Sequence, residues 1–301
     1  MILGRLAQAF VTFLLLTLMV FILARLTGDP APLVLSADAT REDFDFFRRQ
    51  YGLDGNLLMQ YLTFLGNVLT FDFGVSFRMR TPAIDIVLAA IGPTLKLAGL
   101  SVLFAGIMGV ALGTLAATTK SKTVDTLVNF ISSVGQAVPS FWLGMMLIIM
   151  FAVTIPLFPT SGYGTPAHYV LPVLTLSFFA CSSIIRLARA NMQEALKSDF
   201  VHMERVLGLS EVRIVLKHAL RNASLPIITY LGLQFGLLLS GAIVTERVFS
   251  WPGLGQVIVD AILNRDYPVI QATVLVTAVL FLLINLLVDV VVILLDPRLR
   301  S

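Results

Sequence analysis

The sequence predicts an all-α polytopic membrane protein with six transmembrane helices. Three observations carry this. Charged residues fill only 13% of the 301 positions, where soluble domains carry about a quarter. Apolar runs recur at lengths near the ~20 residues needed to cross hydrocarbon, and they lift the mean hydropathy to +0.90. Those runs are continuous, without the strict alternation of a membrane β-barrel strand.

The first span occupies residues 6–24, with Arg5 before it. It ends in Arg25-Leu26-Thr27-Gly28-Asp29-Pro30, with no small-residue cleavage site, so residues 1–26 read as an uncleaved signal-anchor. Residues 27–93 read as a small extracytoplasmic helical cap between the first two spans. There Thr40 and Asp43 make a capping-box start, and Phe44, Phe47 and Tyr51 share one helical face before Gly52. Leu57, Leu58, Tyr61, Leu62, Leu65, Val68 and Leu69 form a second apolar stripe. Its polar face (Gln60, Thr63, Asn67, Thr70) makes it an interfacial helix instead of a span.

The transmembrane core covers residues 94–296. The second span, 95–118, has Lys96 at its outer end, where a flexible stem can snorkel. Ala105, Gly109, Gly113 and Ala117 form a small-residue ladder that permits close helix approach. The third span, 126–155, is interrupted at Pro139, near Gln136; such a break is either a cavity-lining hinge or a packed kink. The fourth span is 169–188. The fifth, 225–245, repeats the ladder with Gly232, Gly236 and Ser240. Trp251-Pro252-Gly253 then makes a rigid, aromatic-anchored turn at the membrane boundary. The sixth span is 269–295, with Asp289 near its inner edge, and residues 297–301 are a short tail.

Between the fourth and fifth spans lies a charged island, 191–225. Its first helix, about 194–207, aligns Leu196, Phe200, Met203 and Leu207 in one stripe. Gly208 interrupts, and Ser210 caps a second helix with Glu211 in its first turn. That helix carries Val212, Val215, Leu216, Ala219 and Leu220 on one face and Arg213, Lys217 and Arg221 on another, then meets Pro226 at the start of the next span. A linker needs neither amphipathic helices nor a capped break, so the island reads as a docking element. Six spans put both termini on one side, together with Lys120, Lys122, Arg186, Arg189, Lys197, Arg205, Arg213, Lys217 and Arg221. This positive-inside bias places termini and island in the cytoplasm.

Several chemistries have no carrier. No phosphate loop for ATP occurs, and His168, His202 and His218 are scattered rather than clustered with Cys181, so no metal site is expected. No residue is marked as catalytic. The net charge of +3 makes no case for nucleic acid. An ATP-independent secondary carrier or channel is the rival reading, although no ring of charge stands mid-membrane for it.

The chain resembles the permease subunits of binding-protein-dependent ABC importers in the dipeptide, oligopeptide and nickel group. The resemblance runs through Arg25–Pro30, Tyr51-Gly52-Leu53-Asp54, Asp72-Phe73-Gly74, residues 199–209, residues 218–226, residues 249–255, residues 265–271 and residues 285–298, including Asp296-Pro297-Arg298. It implies a type I ABC importer permease fold in a bacterial or archaeal inner membrane. The island is then the EAA-type loop, whose coupling helix inserts into a groove on the ATPase subunit. The coupling residues would be Glu194, Asp199, Phe200, His202, Met203, Glu204, Arg205, Gly208 and Leu209. His202-Met203-Glu204 depart from the family's Glu-Ala-Ala or Ala-Arg-Ala. The implied partners are a second, similar permease, two ATP-binding subunits that hold ATP and Mg, an extracytoplasmic solute-binding protein and membrane lipid. Gating and helix packing would fall to Pro139, Gly232, Gly236, Trp251, Pro252 and Gly253. The connection with Gly162-Tyr163-Gly164 and His168 is similar to nickel and glutathione-type members.

Overall fold

The computed structural model describes residues 2–26, 29, 31–35 and 38–295. Thr27, Gly28, Pro30 and Asp296-Pro297-Arg298 with the tail lie outside the described residues, as do the side chains of Arg5, Ser240 and Asp289. By contact, Met1–Thr94 with Pro252–Leu282 forms one compact unit, and Leu95–Trp251 with Leu283–Ser301 forms another.

The first unit opens with α1 (Ile2–Leu26), which contains the apolar stretch Val11–Leu23. Short α2 (Ala31–Val34) leads to α3 (Arg41–Gln50). The expected capping box is present: Asp43 N–H donates to Thr40 Oγ1 at 3.3 Å, and Thr40 N–H donates to Asp43 Oδ2 at 2.8 Å. That backbone bond holds the Asp43 carboxyl below its usual range. Asn56 caps α4 (Leu57–Leu69), which packs on α1 through Phe21 against Tyr61 and Phe64.

α5 (Ala83–Thr118) starts well before the expected second-span boundary at 95 and passes through Pro93. Residues 83–92 are mostly apolar, with Asp85 in the first turn where the helix dipole favours an anion, and Ala83, Val87 and Ala90 bury against Leu254, Ala261, Val269 and Ala272. The last four belong to α12 (Leu254–Leu263) and α13 (Tyr267–Leu295). In the same unit Asp266 is buried, taking bonds from Ser76 Oγ at 2.5 Å and Phe77 N–H at 3.2 Å.

The second unit contains α6 (Lys122–Ala137) and α7 (Ser140–Ile148), the latter running into a π-helical turn, Ile149–Thr154. The two axes bend by 107° at Pro139, so the expected third span is a broken pair and not a straight rod. α8 (Pro166–Leu196) starts on a first-turn proline and outruns its expected end at 188. After the island, α11 (Leu220–Val248) follows. Four stretches are long and apolar enough to cross a bilayer: Ala83–Thr118, Pro166–Leu196, Glu211–Leu239 and Tyr267–Val288; the bent pair makes a fifth if it counts as one span.

α8 is the centre of this unit, touching α6, α7 and α11. A Cβ on Gly109 would lie 2.6 Å from Ile184 Cγ2, and one on Gly113 would lie 2.6 Å from the Ile185 carbonyl. One on Gly135 would collide with Ser182 Oγ, and one on Gly232 with Val288. The small residues therefore mark true close approaches. Trp251 is fully buried, with ring centroids 4.9 Å from Tyr163 and 4.7 Å from Tyr169. Gly113→Ala should cost about 1–3 kcal/mol by overpacking, because the obstructing atom is backbone. Gly92→Ala, with nothing within 4 Å, should be neutral; thermal unfolding of the purified protein in detergent compares them.

Candidate functional site

The island begins where α8 ends at Leu196, later than its expected first helix at 194. Ser198 takes extended backbone and starts α9 (Asp199–Val206). Its end is a Schellman turn: Gly208 N–H donates to Arg205 O at 3.0 Å and Leu209 N–H to Glu204 O at 3.1 Å. Gly208 has φ +78°, and a Cβ there would meet nothing within 4 Å, so backbone conformation alone calls for glycine. Arg205 bridges the turn to Glu211, with Nε to Oε1 at 2.8 Å and Nη2 to Oε2 at 3.3 Å.

α10 (Glu211–Arg213) then widens into a π-helical turn, Ile214–Ala219, and continues into α11 without a break. Pro226 lies inside that helix, not at its first turn as expected. The π turn also re-phases the faces, because it holds more residues per turn than an α-helix. Ile214 and Ala219 are buried, whereas Val212 and Leu216, expected on the apolar face, are exposed. Arg213, Lys217 and Arg221 are all exposed, as the basic stripe requires.

The apolar stripe of α9 points outward. Met203, Val206 and Leu207 are 67%, 75% and 71% exposed, and Phe200 is exposed beside them; Val201 alone in this helix is buried. Glu194, Asp199, His202, Arg205 and Gly208 join this open surface, and Leu209 is half-buried. Glu204 is the exception, turned toward His218. Sequence spacing missed Val206 as a surface residue and missed His218 as a partner, since fourteen residues and a turn separate it from Glu204.

The remaining candidates lie elsewhere. Pro139 is exposed at the break before α7, where Gln136 Nε2 donates to Ser183 Oγ at 3.2 Å. Gly236 and Gly253 are buried and Pro252 is exposed. His168 takes part in the α8 capping box with Thr165, 2.7 Å from its Oγ1. Among the described residues no group of three or more His, Cys, Asp or Glu could hold a metal ion. An apolar groove of 1210 Å³ is lined by Val102, Gly106, Val110, Leu216, Ile227 and Leu231.

Residues 109–301 match the family described as binding-protein-dependent transport system inner membrane component. Residues 1–98 match the N-terminal family of binding-protein-dependent transport system membrane components. The glutathione transport system permease protein GsiC of Escherichia coli (strain K12) is 40% identical over 300 residues, covering 99% of this chain and 98% of that protein. The GsiC protein of Shigella dysenteriae serotype 1 (strain Sd197) shows the same identity and coverage. Among solved structures, the inward-facing MetNI methionine ABC transporter superposes with a TM-score of 0.59 at 18% identity, over 70% of this chain and 96% of that one. An amino acid ABC transporter with histidines gives 0.51 at 18% identity, over 71% and 94%. These two likenesses show a shared fold.

Gly208→Val should cost about 1–3 kcal/mol of local stability through forced backbone strain. Arg205→Ala removes only an exposed pair and should leave stability unchanged. Hydrogen exchange of the amides of residues 199–213 reads the difference.

Proposed function

The chain belongs to the binding-protein-dependent transport system inner membrane components, and from that membership we propose that it carries peptide-like solutes of the glutathione class inward by alternating access, driven by separate ATPase subunits. The observation that carries this reading is the outward apolar face of α9. Met203, Val206 and Leu207 are exposed, but Asp199, Arg205 and Glu211 surround them. So many charges cannot enter hydrocarbon. A protein groove is the environment that takes apolar anchors rimmed by charge.

The occupant is a nucleotide-binding subunit. ATP and Mg belong to that subunit; this chain supplies a lever. Closure of the ATPase pair moves α9 as a rigid body, and the motion passes to α8 and α11 on either side of the loop. A second permease covers the apolar groove along α5 and α11, and the solute crosses between the two subunits. An extracytoplasmic binding protein delivers the solute to the cap. The basic stripe faces the cytoplasmic leaflet, where each Lys or Arg is worth about 1 kcal/mol against anionic lipid. Both termini then lie in the cytoplasm.

The GsiC relatives support a peptide-like solute over nickel. In proteoliposomes holding the complete transporter and its binding protein, labelled glutathione should accumulate with ATP and compete with short peptides. Accumulation of nickel alone would move the assignment to the metal branch. Met203→Glu with Leu207→Glu should abolish co-elution of the ATPase subunits and lower uptake on the order of tenfold or more. A secondary carrier or channel would keep its uptake in the double variant and without ATP. Replacing Arg213, Lys217 and Arg221 together by Glu should lower the membrane-inserted, assembled fraction, read by detergent extraction and size-exclusion profile.

A further inference from the structure

Glu204 sits in the middle of the docking helix and yet faces inward. Its side chain is 17% exposed, in contrast to Met203, Val206 and Leu207 around it. It meets His218 in the π-helical turn, with Nδ1 2.8 Å from Oε1. An ionised carboxylate only accepts, so Nδ1 carries the proton and donates it. The other two polar atoms, Glu204 Oε2 and His218 Nε2, are closed off from solvent without a hydrogen-bond partner.

This enclosure separates the pair from Arg205–Glu211, which crosses the same turn in the open and is screened by water. Loss of one member of an enclosed pair strands the other away from solvent. The placement matters for α9 because its covalent attachments are breaks. One lies at Lys197 and Ser198, the other at the Schellman turn of Gly208. Neither fixes the sideways angle of an eight-residue helix. Buried Val201 and the contact with the π-helical turn do, and Glu204–His218 is a polar side-chain contact between these two segments.

We infer that Glu204 and His218 form an internal brace that sets the angle at which α9 is presented to the ATPase. Resting on the docking assignment above, this makes both of them positioning residues and not contact residues. Glu204 adds nothing to the docking face itself; it keeps Met203, Val206 and Leu207 turned outward.

The test uses the complete transporter in proteoliposomes and reads solute moved per ATP hydrolysed. Glu204→Ala and His218→Ala should each lower that ratio about tenfold, while ATP hydrolysis continues. In both, the amides of residues 199–207 should exchange faster. The exchanged pair, Glu204→His with His218→Glu, should bring the ratio back to within about twofold of the parent, which a merely space-filling role would not do. An unchanged ratio in both single variants overturns the brace, as does a loss that the exchanged pair fails to repair. If one single variant does not fold, the other and the exchanged pair decide. Met203→Glu with Leu207→Glu, run alongside, separates the two claims. Retention of the ATPase there defeats the docking assignment, whereas its loss beside an intact ratio in both single variants defeats the brace alone.

Discussion

Where α5 and α6 meet α8, there is no room for a single additional carbon atom. Gly109, Gly113 and Gly135 lie against Ile184, Ile185 and Ser182 so closely that any Cβ would overlap them. In a bilayer no hydrophobic force presses helices together, because lipid tails are as apolar as leucine. Attraction must come from many short contacts, and these fade within a fraction of an ångström of added separation. Leucine-rich helices without such clefts would have no reason to choose one another over lipid. Here the clefts fix α8, and the ion pair of Arg189 with Asp125, 2.8 Å apart, ties the far part of the same helix to α6. α8 has 31 residues and is therefore about 46 Å long. Whatever hangs from its end inherits that anchoring.

What hangs there is α9, and its exposure differs in kind from that of the spans. Leu88 and Leu100 of α5 are also exposed, but they belong to a long apolar stretch for which lipid is the natural solvent. The apolar residues of α9 stand among carboxylates and guanidinium groups. Neither water nor hydrocarbon suits that mixture, and on this ground a protein partner is proposed for it. The loop thus combines an exposed outward face, Met203, Val206 and Leu207, and a buried inward face, Val201, Ile214 and Ala219.

Much of this was legible in the residues. Apolar run lengths located the second, fourth, fifth and sixth expected spans, the glycine ladder located close contacts, and Gly208 located the turn, because each depends on composition within a few neighbouring positions. The failures share a cause as well. Pro93 and Pro226 sit inside helices, where local rules read proline as a boundary; in the membrane, packing and neighbouring groups compensate for the missing N–H. The π-helical turn at Ile214–Ala219 shifts the faces downstream, and no periodicity counted at 3.6 residues per turn detects it. The stripe on α9 was visible, but its direction was not. An apolar stripe looks the same whether it faces a core or awaits a partner. The Glu204–His218 contact was hidden for another reason: it depends on how the chain folds back at Gly208.

The second half of the loop has no joint at its root. From Glu211 through the π-helical turn to Val248 the backbone is one helix, and this helix lies alongside α8, from which the first half departs. A handle cast in one piece with its shaft cannot swivel to relieve a load. A push on the elbow of the loop, such as the proposed docking would deliver, has no slack in which to dissipate and leaves as rotation of the shaft.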